Sequence, residues 1–389
     1  MTESEIREQF QRRAPSAGVR ERYQGCLLGG AVGDALGAPV EFMSLTDIRR
    51  RFGPPGITDL VPVYGKLGAI TDDTQMTLFT AEGALRAYVR GSLRGICSPP
   101  SVIRNAYLRW LYTQSEYEPH NRDVLLDGWL ITQKELFSRR APGRTCLEAL
   151  RSCIASGQAA RNDSKGCGGV MRVAPIGMLF HALSQTDPSA RAENLNRAFD
   201  LGCEAAALTH KHPTGFLTAG VMAALVFEVL DGASLLDATN HVIPMLKEQD
   251  RHEETLVALE RAQSLHTSGI ALDEAFRQLG QGWVAEEALA IGVYAALQAS
   301  DYETGVIIAV NHDGDSDSTG LIAGHLLGAM RGRSAIPERW LAPLELRGVM
   351  EEIADDLATA GSWRLDPDEW DDPGTLAEQD YYTRRYPGS

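Results

Sequence analysis

Apolar residues recur along most of this chain at the three- and four-residue steps of an amphipathic helix. The pattern predicts helices over residues 74–89, 100–113, 195–208, 214–230, 253–265, 286–299 and 318–330. The period-two alternation of a half-buried strand is scarce. An apolar run at 306–310 suits buried helix as well as strand. The expected fold is therefore all-α, with long functional loops and one main domain. The divisions read from the pattern are a polar arm over 1–20, a helical domain over 21–365 and a surface tail over 366–389. The arm reads as a short helix ending before Pro15, with a disordered segment or a partner-binding element as the alternatives.

Two of these helical segments carry a second period. Gly25, Gly29, Gly33 and Gly37 are spaced by four residues, as are Gly320, Gly324 and Gly328. A step of four follows one ridge of a helix. Each interior glycine costs up to about 1 kcal/mol against alanine. Two such ridges make sense where another backbone must come close.

The net charge of −15 argues against general nucleic-acid affinity, which needs clustered Lys and Arg. The six cysteines form no C-x-x-C pair and no zinc spacing. Reduced, buried thiols in a cytoplasmic protein are the expectation. No signal-peptide core is present, and no uninterrupted membrane span is expected.

Two acidic runs carry the chemistry. One is Thr71-Asp72-Asp73-Thr74; the other is Asp313-Gly314-Asp315-Ser316-Asp317-Ser318-Thr319. Neighbouring carboxylates repel, and burying them unpaired is costly. A shared cation removes both difficulties, and oxygen-only donors suit hard ions such as Mg2+ or Mn2+. The first run also reads as a helix start capped by Thr71, which is compatible with metal binding. The second run fails as an EF-hand, because no Glu stands at the twelfth position. The reading is that the two runs meet in space and hold metal.

Three further segments stand out. The loop Asp163-Ser164-Lys165-Gly166-Cys167-Gly168-Gly169 offers free amides that can cradle phosphate, yet it is neither a P-loop nor a dinucleotide fingerprint. In Thr209-His210-Lys211-His212-Pro213 the proline breaks the helix, placing one or both imidazoles in a cleft for substrate contact. Gly-Ala-Pro after the first glycine ridge presents Glu41 on a loop, where it can take a proton near metal.

Together these stretches resemble the ADP-ribosylglycohydrolase family, which includes ADP-ribosylarginine hydrolases and dinitrogenase-reductase-activating glycohydrolases. The resemblance rests on GCLLGGAVGDALGAPVEF, GAITDDTQMTL, GCGGVMRVAPIG, ALTHKHPTG and GDSDSTGLIAGHLLGAM, in family order over about residues 22–345. It implies a compact orthogonal helical bundle with a binuclear Mg2+ site in a central cleft, Mn2+ being an alternative. Thr71, Asp72, Asp73, Asp315, Asp317 and Ser318 match the metal ligands, Ser318 standing where the family often has Thr. Glu41 matches the loop glutamate, and Glu41, Asp73 and Asp315 are the candidates for catalysis. Gly166, Gly168 and Gly169 match the segment that contacts the diphosphate and ribose, and His210 matches a cleft position.

The implied activity is hydrolysis of the glycosidic bond between ADP-ribose and an acceptor, arginine on a protein above all. Serine-, nucleobase- or small-molecule-linked ADP-ribose are alternatives. So are toxin neutralisation by binding, with the arm as the partner element, and a metal phosphohydrolase acting on the diphosphate. The expected partner is an ADP-ribosylated protein or conjugate, with neither general nucleic-acid nor membrane binding.

Overall fold

The computed structural model describes residues 16–119, 122–156, 160–366, 368 and 372–388. Among them every regular element is helical, and strand pairing is confined to two isolated bridges. The helices that position the site are α1 (Ala17–Gly37), α2 (Asp72–Arg94), α3 (Pro99–Thr113), α4 (Ala174–Thr186), α5 (Arg191–Ala207), α6 (Pro213–Leu230), α7 (Ala285–Gln298), α8 (Tyr302–Val310), α9 (Ser316–Arg331), α10 (Arg347–Thr359) and α11 (Pro373–Arg385). The run at 306–310 is thus helix, started by Asp301, whose carboxylate accepts the Thr304 amide at 2.8 Å.

Most of the predicted helices lie where the periodicity put them, with earlier starts at the acidic runs. α2 begins at Asp72 because Thr71 caps it, accepting the Asp73 amide at 3.3 Å. α9 begins at Ser316 rather than 318. In both, the acids form the first turn, where the helix dipole favours negative charge.

α1 and α9 are the most intimately paired helices, and their glycines explain it. A Cβ built on Gly33 would lie 2.0 Å from the Gly320 carbonyl oxygen, and one on Gly29 would lie 2.4 Å from that of Gly324. Gly25 faces Gly328 at 2.4 Å in the same way. The two ridges mesh backbone to backbone along their length. Tyr302 from α8 adds a hydroxyl bond to the Gly29 carbonyl at 2.7 Å.

α6 is buried all round and forms the hub of the core. It and the 167–186 segment are apolar and long enough to cross a bilayer, which the sequence reading did not anticipate. Their windows are 89% and 83% buried inside the fold, the ordinary position of core helices.

At the termini, the arm over residues 1–15 lies outside the described residues. Residues 17–20, counted with the arm in the sequence reading, are the first turn of α1, where the Arg20 Nε binds Asp355 at 2.7 Å. The tail is more than a strap: α11 lays Tyr382 on Trp363 with ring centroids 3.6 Å apart and buries Tyr386. Aromatic packing is what docks this polar segment.

Gly33→Ala is expected to lower unfolding free energy by about 3 kcal/mol, the upper end of overpacking costs. Gly18→Ala, in the same helix with no atom near its Cβ position, is expected to be neutral or to stabilise by about 0.5 kcal/mol. Urea unfolding of both variants measures the contrast.

Candidate metal centre

The site forms where the C-terminal end of α1 meets the starts of α2 and α9. Asp34, on the glycine-ridged helix, is fully buried and organises the first acidic run. It accepts the Thr71 amide at 3.0 Å, the Thr74 amide at 3.2 Å and the Thr74 hydroxyl. The loop before Thr71 is pinned from the other side. The Glu345 carboxylate accepts the Ile70 amide at 3.2 Å and is paired with Arg140, whose carbonyl accepts the Asp72 amide at 3.2 Å. The second run is set by the Asp315 amide, which donates to the Gln281 carbonyl at 2.8 Å.

The two runs meet. The Ser318 hydroxyl donates to Asp73 Oδ2 at 2.7 Å, across 245 positions of sequence. Glu41, Asp315 and Asp317 each bring a carboxylate oxygen within 4.8 Å of the others. Asp72 accepts the Gly143 amide at 3.1 Å. Thr71, Asp72, Asp73, Asp315, Asp317, Ser318 and Glu41 are all buried, while the acids keep 3–7% exposure and so stay within reach of solvent. Asp313, by contrast, is exposed and accepts the Leu45 amide at 2.6 Å.

The glycine loop and His210 join this cluster from one side. Cβ positions at Gly166 and Gly168 would lie 3.4 and 3.0 Å from the His210 ring, and one at Gly169 would meet the Gly215 carbonyl at 2.9 Å. His210 is buried, contacts the Thr209 hydroxyl through Nδ1 at 2.8 Å, and is pushed down to about 3 by burial and then Arg172. It is therefore a neutral imidazole at neutral pH. His212 has a different job: its Nδ1 caps α6 by accepting the Thr214 amide at 3.2 Å. Of the two imidazoles, His210 is the one beside the glycine loop.

Sequence reasoning did not single out Asp34 as a site residue, although a lone carboxylate in the apolar stretch 26–40 was a visible signal. It also missed Cys167, whose thiol lies 2.8 Å from Asp315 Oδ2.

The electrostatics are those of crowded, desolvated carboxylates. Among the described residues, none of Asp34, Glu41, Asp72, Asp73, Asp315 and Asp317 forms an ion pair with Lys or Arg. Burial, then the Asp317 charge, pushes Asp34 up to about 7 and Glu41 up to about 10. Asp72, Asp73 and Asp315 are raised well above the ordinary carboxylate range, by burial first. Glu41 Oε2 is buried with no hydrogen-bond partner. Oxygen donors converging with an orphaned carboxylate oxygen fit a hard divalent cation.

Because these acids bind protons more tightly folded than unfolded, their contribution to stability is greatest at low pH and is lost as pH rises through the raised values. For Asp34 that window runs from about 4 to about 7, and for Glu41 from about 4.5 to about 10. Chelator-treated protein is expected to lose thermal stability as pH rises from about 4 to about 10, the span of these two windows. Added Mg2+ or Mn2+ is expected to flatten that slope. Differential scanning calorimetry across pH reads both outcomes.

Comparison with known proteins identifies the family. The profile of the ADP-ribosylglycohydrolase family matches residues 15–366. The chain is 26% identical over 353 residues to the ADP-ribosyl-[dinitrogen reductase] glycohydrolase of Rhodospirillum rubrum, covering 88% of this chain and 98% of that protein. It is 22% identical over 362 residues to the ADP-ribosylarginine hydrolase Tri1 of Serratia proteamaculans, covering 88% and 80%. A solved structure titled as an ADP-ribosylglycohydrolase-related protein complex superposes with a TM-score of 0.62 at 27% identity, covering 88% of this chain and 99% of that one. With its all-α fold and its two acidic runs joined at one buried cluster, this chain belongs to the ADP-ribosylglycohydrolase family.

Proposed function

We propose that this protein hydrolyses the glycosidic bond linking ADP-ribose to arginine on a protein, with Mg2+ or Mn2+ bound in the acidic cluster. The observation that carries the reading is the meeting of the two acidic runs, Ser318 to Asp73, beside an unpartnered Glu41. Thr71, Asp72, Asp73, Asp315, Asp317 and Ser318 would hold two ions. Bound there, the ions would neutralise the cluster, orient ribose hydroxyls and make water more acidic.

The chain's own groups supply the rest. Asp73 and Asp315 each have an oxygen engaged, by Ser318 and Cys167. Glu41 Oε2 has none, so once bound cations offset the neighbouring charges that add to burial in raising it, it is the carboxylate best placed to take a proton from attacking water. Glu41, which is not among the residues that would hold the ions, keeps a negative charge that favours an oxocarbenium-like transition state. The glycine loop, held at 3.2 Å by the Cys167 amide on the Trp283 carbonyl, packs against His210, and this is the segment that would meet the diphosphate and ribose.

Arginine as the acceptor has its own support. Phe42, next to Glu41, is 74% exposed and stacks on half-exposed Trp283 at 5.6 Å. Trp283 follows Gly282, whose Cβ position is 3.3 Å from Asp315 Cβ. Exposed aromatic faces beside carboxylates suit a guanidinium better than a serine side chain. The toxin-binding alternative rests on an arm whose residues 1–15 lie outside the described residues. All six cysteines are unpaired, which supports a reducing compartment such as the cytoplasm.

Incubation with arginine-, serine- and nucleobase-linked ADP-ribose, with and without divalent ions, tests the proposal. Release of free ADP-ribose from the arginine conjugate, lost on chelation, is expected; AMP as product points to diphosphate cleavage instead. Asp317→Asn is expected to lower kcat by about a thousandfold or more, the scale of losing a charge that organises the transition state. Trp283→Ala is expected to raise KM for the arginine conjugate by about fivefold, as for an exposed cation–π contact.

A further inference from the structure

Tyr64 and Gly65 form the tip of a two-residue hairpin. The Val63 amide donates to the Lys66 carbonyl at 3.1 Å, and the Lys66 amide donates to the Val63 carbonyl at 3.0 Å. Both tip residues have positive φ, 53° at Tyr64 and 77° at Gly65, as a type I′ turn requires. Such a turn favours Asn-Gly or Asp-Gly, and a bulky residue in its first central position is strained.

Strain of this kind gathers beside the first acidic run. Five non-glycine residues among the described ones have positive φ, and three of them, Tyr64, Ala141 and Leu346, stand in loops joined next to Thr71 and Asp72. Glu345 ties these loops together. Its carboxylate accepts Lys66 Nζ at 2.9 Å and Arg140 Nη2 at 3.0 Å, and its amide donates to the Gly68 carbonyl at 2.9 Å. Strained non-glycine positions persist where the surroundings hold them, and they concentrate at ligand sites.

Packing does not use up the Tyr64 ring. The Arg140 guanidinium carbon lies over it, 5.6 Å from the centroid, yet Tyr64 remains 44% exposed. Burial first, then the charges of Glu41, Asp317, Asp34 and Asp72, raise its phenol. The ring thus stands at the edge of the acidic cluster. Glu41 neighbours both this ring and the stacked pair of Phe42 and Trp283.

We infer that Tyr64 is a specificity-determining residue, offering its open ring face to the cationic acceptor of the substrate as a second aromatic contact besides Trp283. This rests on the arginine reading proposed above. The ring already carries one guanidinium, that of Arg140, so its electron-rich face suits another. Asn-Gly would build the same turn without the strain, but it would leave no ring at the edge of the site.

Tyr64→Asn is the informative variant, because it converts the tip to Asn-Gly and keeps the turn. Its Tm is expected to equal or exceed that of the wild type. With arginine-linked ADP-ribose and Mg2+, KM is expected to rise about fivefold and kcat to change by less than about twofold, as for loss of an exposed cation–π contact. Tyr64→Phe keeps the ring and is expected to hold KM within about twofold of the wild type. Inhibition by free ADP-ribose, which lacks the acceptor, is expected to be the same in Tyr64→Asn and the wild type. An unchanged KM in Tyr64→Asn overturns the inference, as does a KM in Tyr64→Phe as high as in Tyr64→Asn. An equal weakening of ADP-ribose inhibition also overturns it, since the contact would then be to the ADP-ribose part. In all three of these cases the wild type still cleaves the arginine conjugate and the proposed activity stands. A wild type that does not cleave that conjugate overturns the activity, and the acceptor contact with it.

Discussion

Mutual repulsion among buried carboxylates is the constraint to which this structure answers. Three oxygens within 4.8 Å of one another, all ionised, repel by at least about 3.5 kcal/mol per pair at an effective dielectric near 20. Three such pairs exceed about 10 kcal/mol, comparable with the whole stability of a typical domain. Protons or a cation must relieve this. The same fold shows the alternative in α2, where Glu82 is fully buried between Arg109 and Arg86 at 2.9 Å each. Burial alone would raise Glu82, but the two guanidiniums overcome it and hold it low. The cluster around Asp317 has no such partners among the described residues, and its acids shift the other way. A site that keeps its carboxylates unpaired by protein is reserving them for something else.

Backbone contact is what makes the crowding achievable. Gly33 and Gly37 bring the end of α1 against the start of α9, where Gly37 faces the Ser316 carbonyl. That contact sets Asp34, one residue after Gly33, near enough to Asp317 for the latter's charge to raise it. Any side chain on these ridges would part the helices and, with them, the two acidic runs. The glycines therefore hold the fold together and also set the distance between Asp73 and Ser318.

Much of this was legible in the sequence, for identifiable reasons. Helices such as α6 and α7 were visible as long, mostly apolar segments, although both are buried on most of their faces. The glycine steps gave the backbone contact, since a step of four has one geometric meaning in a helix. The acidic runs signalled a shared cation because unpaired burial is so unfavourable. Other features depend on contacts that no local pattern encodes. Cys167 gains its meaning only from Asp315, 148 positions away. α11 reads as a polar tail because its anchor is Trp363 stacked on Tyr382, a match between two segments rather than a period within one. The roles of His210 and His212 separate only once α6 is seen to start at Pro213.

The acids are best told apart by what occupies their oxygens. An ionised carboxylate offers about four acceptor positions. Asp34 uses its oxygens on Thr71 and Thr74, so it shapes the loop and has little left for a ligand. Asp313 is turned outward to the Leu45 amide. Asp73 and Asp315 each engage Oδ2 with a single hydroxyl or thiol. Glu41 leaves Oε2 empty. Free acceptor capacity thus grows from the helix-bound, solvent-free Asp34 to the loop-borne Glu41, which retains 7% exposure. Asp73, Asp315 and Asp317 would hold a cation, with Asp34 committed to the loop and Glu41 left with a free oxygen. That ordering separates structural from chemical acids more sharply than their sequence positions do, since Asp34 and Glu41 are only seven residues apart.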